Sequence, residues 1–184
     1  MSIENLKLGF AVPFVSSQYG YLGAVLITDY KGFPLEFRYT DPVIPTKIQQ
    51  VLYGKELDTY LKVDVIIDSL FKVISNKIDI LLVQDEDLLR YRKSNVDIVR
   101  ISPTNIPPLS EIGELVKTKD YEYLLQTAHS KNPVRLQFQD DFDCEGEVFA
   151  SIIDSLTITG DYIDIEEPLN RVFKTIELIC NKEI

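Results

Sequence analysis

The chain has 184 residues, 45% of them apolar and 26% charged, with 29 acids against 19 bases and a net charge of −10. A chain of this length buries roughly 70% of its unfolded surface, enough for a core without cross-links, and two cysteines, Cys144 and Cys180, exclude a disulfide framework or a four-thiolate zinc site. No apolar run approaches the roughly 18 residues of a membrane span, and MSIENLKLGF lacks the basic lead and apolar stretch of a secretory signal, so a cytoplasmic protein is expected.

The first forty residues read as strands. Leu8, Phe10 and Val12 alternate with smaller neighbours, and Pro13 suggests a strand end or an edge. GAVLITDYKGFPLEFRYT predicts a hairpin around Asp29-Tyr30-Lys31-Gly32. Its first run, Ala24 to Ile27, is apolar on both faces and belongs deep in a sheet. In the second run Leu35, Phe37 and Tyr39 share one face, and Glu36, Arg38 and Thr40 the other.

From Ile44 the period becomes helical. Ile44, Ile48, Val51 and Leu52 form a short stripe, with Pro45 suited to a first turn and Gly54 to a stop. A longer helix is predicted from about Glu56 to Ser75, with Tyr60, Val63, Ile67, Leu70 and Ile74 on its core face. Asp58, Lys62, Asp64 and Asp68 fall mostly on the opposite side.

Ile78 to Val83 reads as a central strand. Asp85-Glu86-Asp87, followed by Arg90, Arg92 and Lys93, fits a two-turn helix with acids first and bases last. Val96 to Ile101 is a further strand. Residues 102–110, with Pro103, Pro107 and Pro108, form the most linker-like stretch. A single domain over 1–184 is expected, with a subdivision into 1–101 and 111–184 as the alternative. Beyond it Tyr121, Leu124, Leu125 and Ala128 predict a helix ending at Asn132-Pro133. Val134, Leu136 and Phe138 predict a strand. Val148 to Leu156 predicts a helix, and Pro168 opens the last one behind Glu166 and Glu167. The class is mixed α/β: an N-terminal β-hairpin sheet, a long amphipathic helix, then alternating strands and helices.

The charge is segregated. Leu136 to Asn170 holds no Lys or Arg but ten acids: Asp140, Asp141, Asp143, Glu145, Glu147, Asp154, Asp161, Asp164, Glu166 and Glu167. The remainder is balanced at 19 of each sign. Such a window repels phosphate backbones and anionic membranes, so no direct nucleic acid and no membrane are expected as partners. Asp141, Asp143, Glu145 and Gly146 copy the opening of a calcium loop, but its ninth and twelfth places are Phe149 and Ile152. A divalent-metal hydrolase or phosphoesterase built on Asp140, Asp141, Asp143, Glu145 and Glu147 is therefore a rival reading rather than the leading one. His129 is the sole imidazole, and nothing in the sequence ties it to Cys144 or to a serine. No G-x-S-x-G, G-x-x-x-x-G-K-[ST] or G-x-G-x-x-G occurs, and no cofactor is expected. Asp29-Tyr30-Lys31 has the acid-plus-lysine spacing of some nucleases but sits in a turn.

The segments LITD, PLEFRYT-DP and QQVLYG, with EEPLNRV near the end, resemble an uncharacterised bacterial protein family; the resemblance implies a bacterial origin and no activity. The hairpin leading into a long helix is also similar to the roadblock or longin type of scaffold, from which the chain departs by its extra first strand. Partner contact is expected at Glu36, Arg38, Tyr39 and Thr40 with Tyr53 nearby, because Tyr and Arg are favoured at interface hot spots. The leading expectation is a non-enzymatic accessory or adaptor protein that binds a protein partner in a bacterial multi-component system. An acidic mimic that occupies a nucleic-acid-binding protein is the third reading.

Overall fold

In the computed structural model, which describes residues 3–181, two long apolar segments pair antiparallel as β1 (Lys7–Ser16) and β2 (Gly20–Asp29). β3 (Pro34–Tyr39) returns beside β2 through the expected turn. There Asp29 Oδ1 accepts the N–H groups of Lys31 and Phe33, both at 2.9 Å, and Gly32 takes φ +76°.

β4 (Ile80–Val83) and β5 (Asp97–Ser102) run parallel to β1. The sheet then continues antiparallel through β8 (Val134–Gln137), β7 (Glu122–Leu125) and β6 (Leu115–Lys119). The eight strands lie in the order β3-β2-β1-β4-β5-β8-β7-β6, so strands from both sides of residues 102–110 share one sheet. Pro13 lies inside β1 rather than at its end. It is tolerated because β4 stops pairing at Ala11, which leaves no neighbour on that side to miss its N–H.

Both faces of the sheet are covered, which is why ILLV of β4 is apolar throughout. On one face Phe10, Leu82, Leu136 and Phe138 pack under α4 (Glu147–Gly160) and α5 (Glu167–Asn181). On the other, Ile27, Leu81, Val83 and Ile98 pack under a helical rod. Each fully buried aliphatic side chain of this kind contributes about 1.5–3 kcal/mol.

The rod begins with α1 (Lys47–Tyr53), whose N-terminus is closed by a reciprocal capping box between Thr46 and Gln49 and whose C-terminus stops at Gly54. A 3₁₀ turn leads into α2 (Leu57–Tyr60), a π-helical segment (Leu61–Ile67) and α3 (Asp68–Val73). Val63, Ile67 and Leu70 are buried as the spacing predicts. Ile66 shares that face at α spacing, and the π segment widens it to include Leu61, which α spacing alone would turn aside. The stripe of α1 behaves differently: Ile44, Ile48, Val51 and Leu52 are 71–82% exposed.

One predicted helix is absent. Residues 121–128 form β7 and the loop behind it, and β6 turns into β7 through Tyr121 at φ 60°. Tyr123, Leu124 and Leu125 are all buried, because this strand lies inside the sheet rather than on a helix face. No helix among the described residues is long and apolar enough to cross a membrane.

Candidate nucleic-acid site at the carboxyl end of the central strands

β1 and β4 are parallel neighbours from which the chain departs in opposite directions, to β2 on one side and β5 on the other. In open α/β sheets the crevice outside the carboxyl ends of two such strands is where ligands bind. Here that end of β4 is Gln84-Asp85-Glu86-Asp87, and Asp85 caps the following 3₁₀ turn, Glu86–Arg90, by accepting from Asp87 N at 2.9 Å.

Three carboxylates converge at this place. Asp85 and Asp87 come from the end of β4 and Asp58 from α2, and all three meet the ammonium group of Lys62 on the π segment. The Lys62 Nζ distances are 2.6 Å to Asp58 Oδ2, 3.0 Å to Asp85 Oδ2 and 3.3 Å to Asp87 Oδ2. Thr59 Oγ1 donates to the other oxygen of Asp87 at 3.0 Å. Burial opposes the charge on Lys62, whose side chain is 15% exposed, but its hydrogen bonds to Asp58 and Asp85 and the charges of both acids raise its pKa. Burial, then the nearby Asp58 carboxylate, pushes the Tyr21 hydroxyl up.

Beside the cluster lies a cleft of about 450 Å³ between the Asp85–Arg92 segment and the ends of β8 and its following loop. Its walls are polar. Arg92 is held by the carbonyls of Leu89 and Tyr91 and reaches Asp141 Oδ1 at 3.3 Å. Gln139 Nε2 donates to the same two carbonyls at 3.0 and 3.1 Å. Arg100 on β5 donates to Gln84 O and Gln137 Oε1, both at 2.8 Å. Arg90 is exposed on the rim and makes no ion pair among the described residues. Planar guanidinium groups of this kind match phosphate oxygens.

The residues singled out from sequence are dispersed. Glu36, Arg38, Tyr39 and Thr40 lie together on β3 or directly after it, at the sheet edge. Glu36 is occupied there by Ser75, Asn76 and Arg38, and Thr40 Oγ1 accepts from Gly23 N at 3.1 Å. Tyr53 instead ends α1, stacked on Tyr60 at 4.6 Å. Asp141, Asp143 and Glu145 lie exposed in the loop before α4. Asp141 pairs with Arg92, and Asp143 Oδ1 accepts from Glu145 N at 3.0 Å within its own turn. His129 is exposed in a turn rather than at a helix end, while Cys144 lies against Tyr123. Among the described residues no group of three or more His, Cys, Asp and Glu could hold a metal ion. The acidic window therefore does not assemble a metal site. The acids that do converge, Asp58, Asp85 and Asp87, are filled by Lys62.

The eight-stranded sheet, flanked by helices and with a polar cleft at its switch point, is an α/β fold with likenesses among solved structures. In particular, the chain is similar to endonuclease V from Streptomyces avermitilis, with a TM-score of 0.63 at 9% identity over 96% of this chain and 82% of that one. It is also similar to Ciona intestinalis endonuclease V, solved with a 23mer DNA containing an inosine followed by a ribo-adenosine; the TM-score is 0.57 at 13% identity, over 97% and 86% of the two chains. No family model and no curated protein sequence matches the chain.

These likenesses correct the expectations of a non-enzymatic adaptor serving a protein partner and of no direct nucleic-acid contact. Both rested on missing local motifs and on net charge. Neither signal sees acids brought together from α2 and the end of β4, or arginines gathered outside the acidic window.

Proposed function

We propose that the chain acts on nucleic acid as a nuclease-type enzyme, with a strand lying across the carboxyl end of β1, β4 and β5. The observation that supports this best is the fold likeness to endonucleases over 96% of the chain, joined to a cleft at the switch point where such a sheet takes its ligand. Arg90 and Arg92 bind backbone phosphate on the cleft rim, with the Gln137 amide as a neutral donor. Asp85 and Asp87 stand beside that phosphate and orient the attacking water through their oxygens. Lys62 fixes both carboxylates and offsets part of their charge, so that a polyanion can approach them.

The test uses labelled single- and double-stranded DNA and RNA, with and without inosine, at low salt, with Mg²⁺ or Mn²⁺ and separately with chelator. Strand retention and product bands are expected from the wild-type chain. Arg90→Ala should weaken retention by about 10-fold or more, and Asp85→Asn with Asp87→Asn should remove cleavage while leaving the fold intact. Neither retention nor product on any of these strands would overturn the reading.

A further inference from the structure

Asp58 on α2 and Asp85 and Asp87 at the end of β4 converge on an amino group. Each of the three carboxylates gives an oxygen to Lys62, from 2.6 to 3.3 Å. Two of them also have a second, fixed donor: the Asp87 N–H for Asp85 Oδ1 and Thr59 for Asp87 Oδ1. The ammonium group thus faces three acids from two elements. A divalent ion coordinated by the same acids would need their Lys62-facing oxygens, and the ammonium would have to leave. Lys62 has little room to do so, because its neighbours Leu61 and Val63 are buried in the core beneath the rod.

We infer that Lys62 is a built-in replacement for a divalent cation at this place, so that the carboxylates at the end of β4 are organised without a metal ion. Phosphodiester cleavage by clustered carboxylates commonly works through bound divalent ions. This cluster does not fit one, and a side chain of the same protein supplies the positive charge. The inference rests on the geometry of the cluster and holds whether or not the chain cleaves nucleic acid.

Thermal unfolding of the full chain tests it without reference to activity. Melting is followed with Mg²⁺, Mn²⁺ or Ca²⁺ against NaCl of equal ionic strength, for wild type, Lys62→Arg and Lys62→Met. The metals should leave wild type and Lys62→Arg at the NaCl value. Lys62→Met frees three carboxylates and should gain a metal-dependent rise, about 3–6 °C at ten times the dissociation constant. Adding Asp85→Asn and Asp87→Asn to that variant should abolish the rise. Lys62→Gln, which keeps a hydrogen-bonding head, replaces Lys62→Met if the latter does not fold. A metal-specific rise in wild type would overturn the inference. So would a folded Lys62→Met or Lys62→Gln chain that gains none.

Discussion

Glu36 ties the edge strand to the rod, and replacing it by Gln should cost stability in a way that pH exposes. Its carboxylate accepts both backbone N–H groups of Ser75 and Asn76, the Asn76 side chain at 2.8 Å, and Arg38 Nε at 2.9 Å. Burial alone would raise its pKa, but the bonds from Asn76, from the two backbone N–H groups and from Arg38 overcome this and lower it from 4.5 to about 2. A depression of that size corresponds to at most about 3 kcal/mol. Arg38 is half-exposed, and solvent screening there trims the figure to about 2 kcal/mol. For a chain of this length that is a fall of about 4–8 °C in melting temperature for Glu36→Gln at pH 7. Because the folded value is depressed, the stabilisation is fully present above the unfolded value of 4.5 and is lost as pH falls through about 2. Melting curves for both chains from pH 7 to pH 2 should therefore stay apart down to about pH 5 and converge near pH 2. Equal melting at pH 7, or a gap that persists unchanged to pH 2, would refute the assignment.

Other substitutions probe packing. Phe138→Ala removes a fully buried ring from between Phe142 and Phe149 and should cost about 3–5 kcal/mol in denaturant unfolding. Gly160→Ala would drive a methyl group into the backbone carbonyl of Thr127 at the end of α4; a loss of about 1–3 kcal/mol is expected by the same measurement. Ile48→Ser combined with Leu52→Ser alters only solvent-facing positions of α1, so stability should change by less than about 1 kcal/mol while solubility rises. A larger loss would show that α1 packs against the body of the protein.

Much of the fold was legible because local chemistry and tertiary position agree. Asp29 and Gly32 do in the β2–β3 turn what Asp and Gly do in turns generally. Ile80 to Val83 is apolar because helices cover both sides of it. The β6–β7 hairpin was illegible because its turn uses Tyr121 at positive φ, where Gly or Asn would have given the signal. Tyr121, Leu124, Leu125 and Ala128 then mimic a helical stripe by accident of spacing. The candidate site was hidden for another reason. Asp58 and Lys62 lie on a helix whose exposed side looks like an ordinary solvated face, and Asp85 and Asp87 resemble helix-opening acids. Only the parallel pairing of β1 with β4 and the packing of the rod bring them together. The acidic window from 136 to 170 drew attention by composition, yet its acids are spread over two loops and two helices.

The π segment at Leu61–Ile67 gives the rod a phase setting that none of its side chains carries. An α-helix advances about 100° per residue, so one residue added or removed at this point rotates everything upstream against everything downstream by about that angle. Upstream lie Leu57 and Asp58, and downstream Leu70 in the core; Lys62 stands at the join. Deleting a single residue from the wide turns could therefore keep Leu70 seated while swinging Asp58 away from Asp85 and Asp87. The lysine–carboxylate cluster is thus one indel from dissolution, with every member of it still encoded.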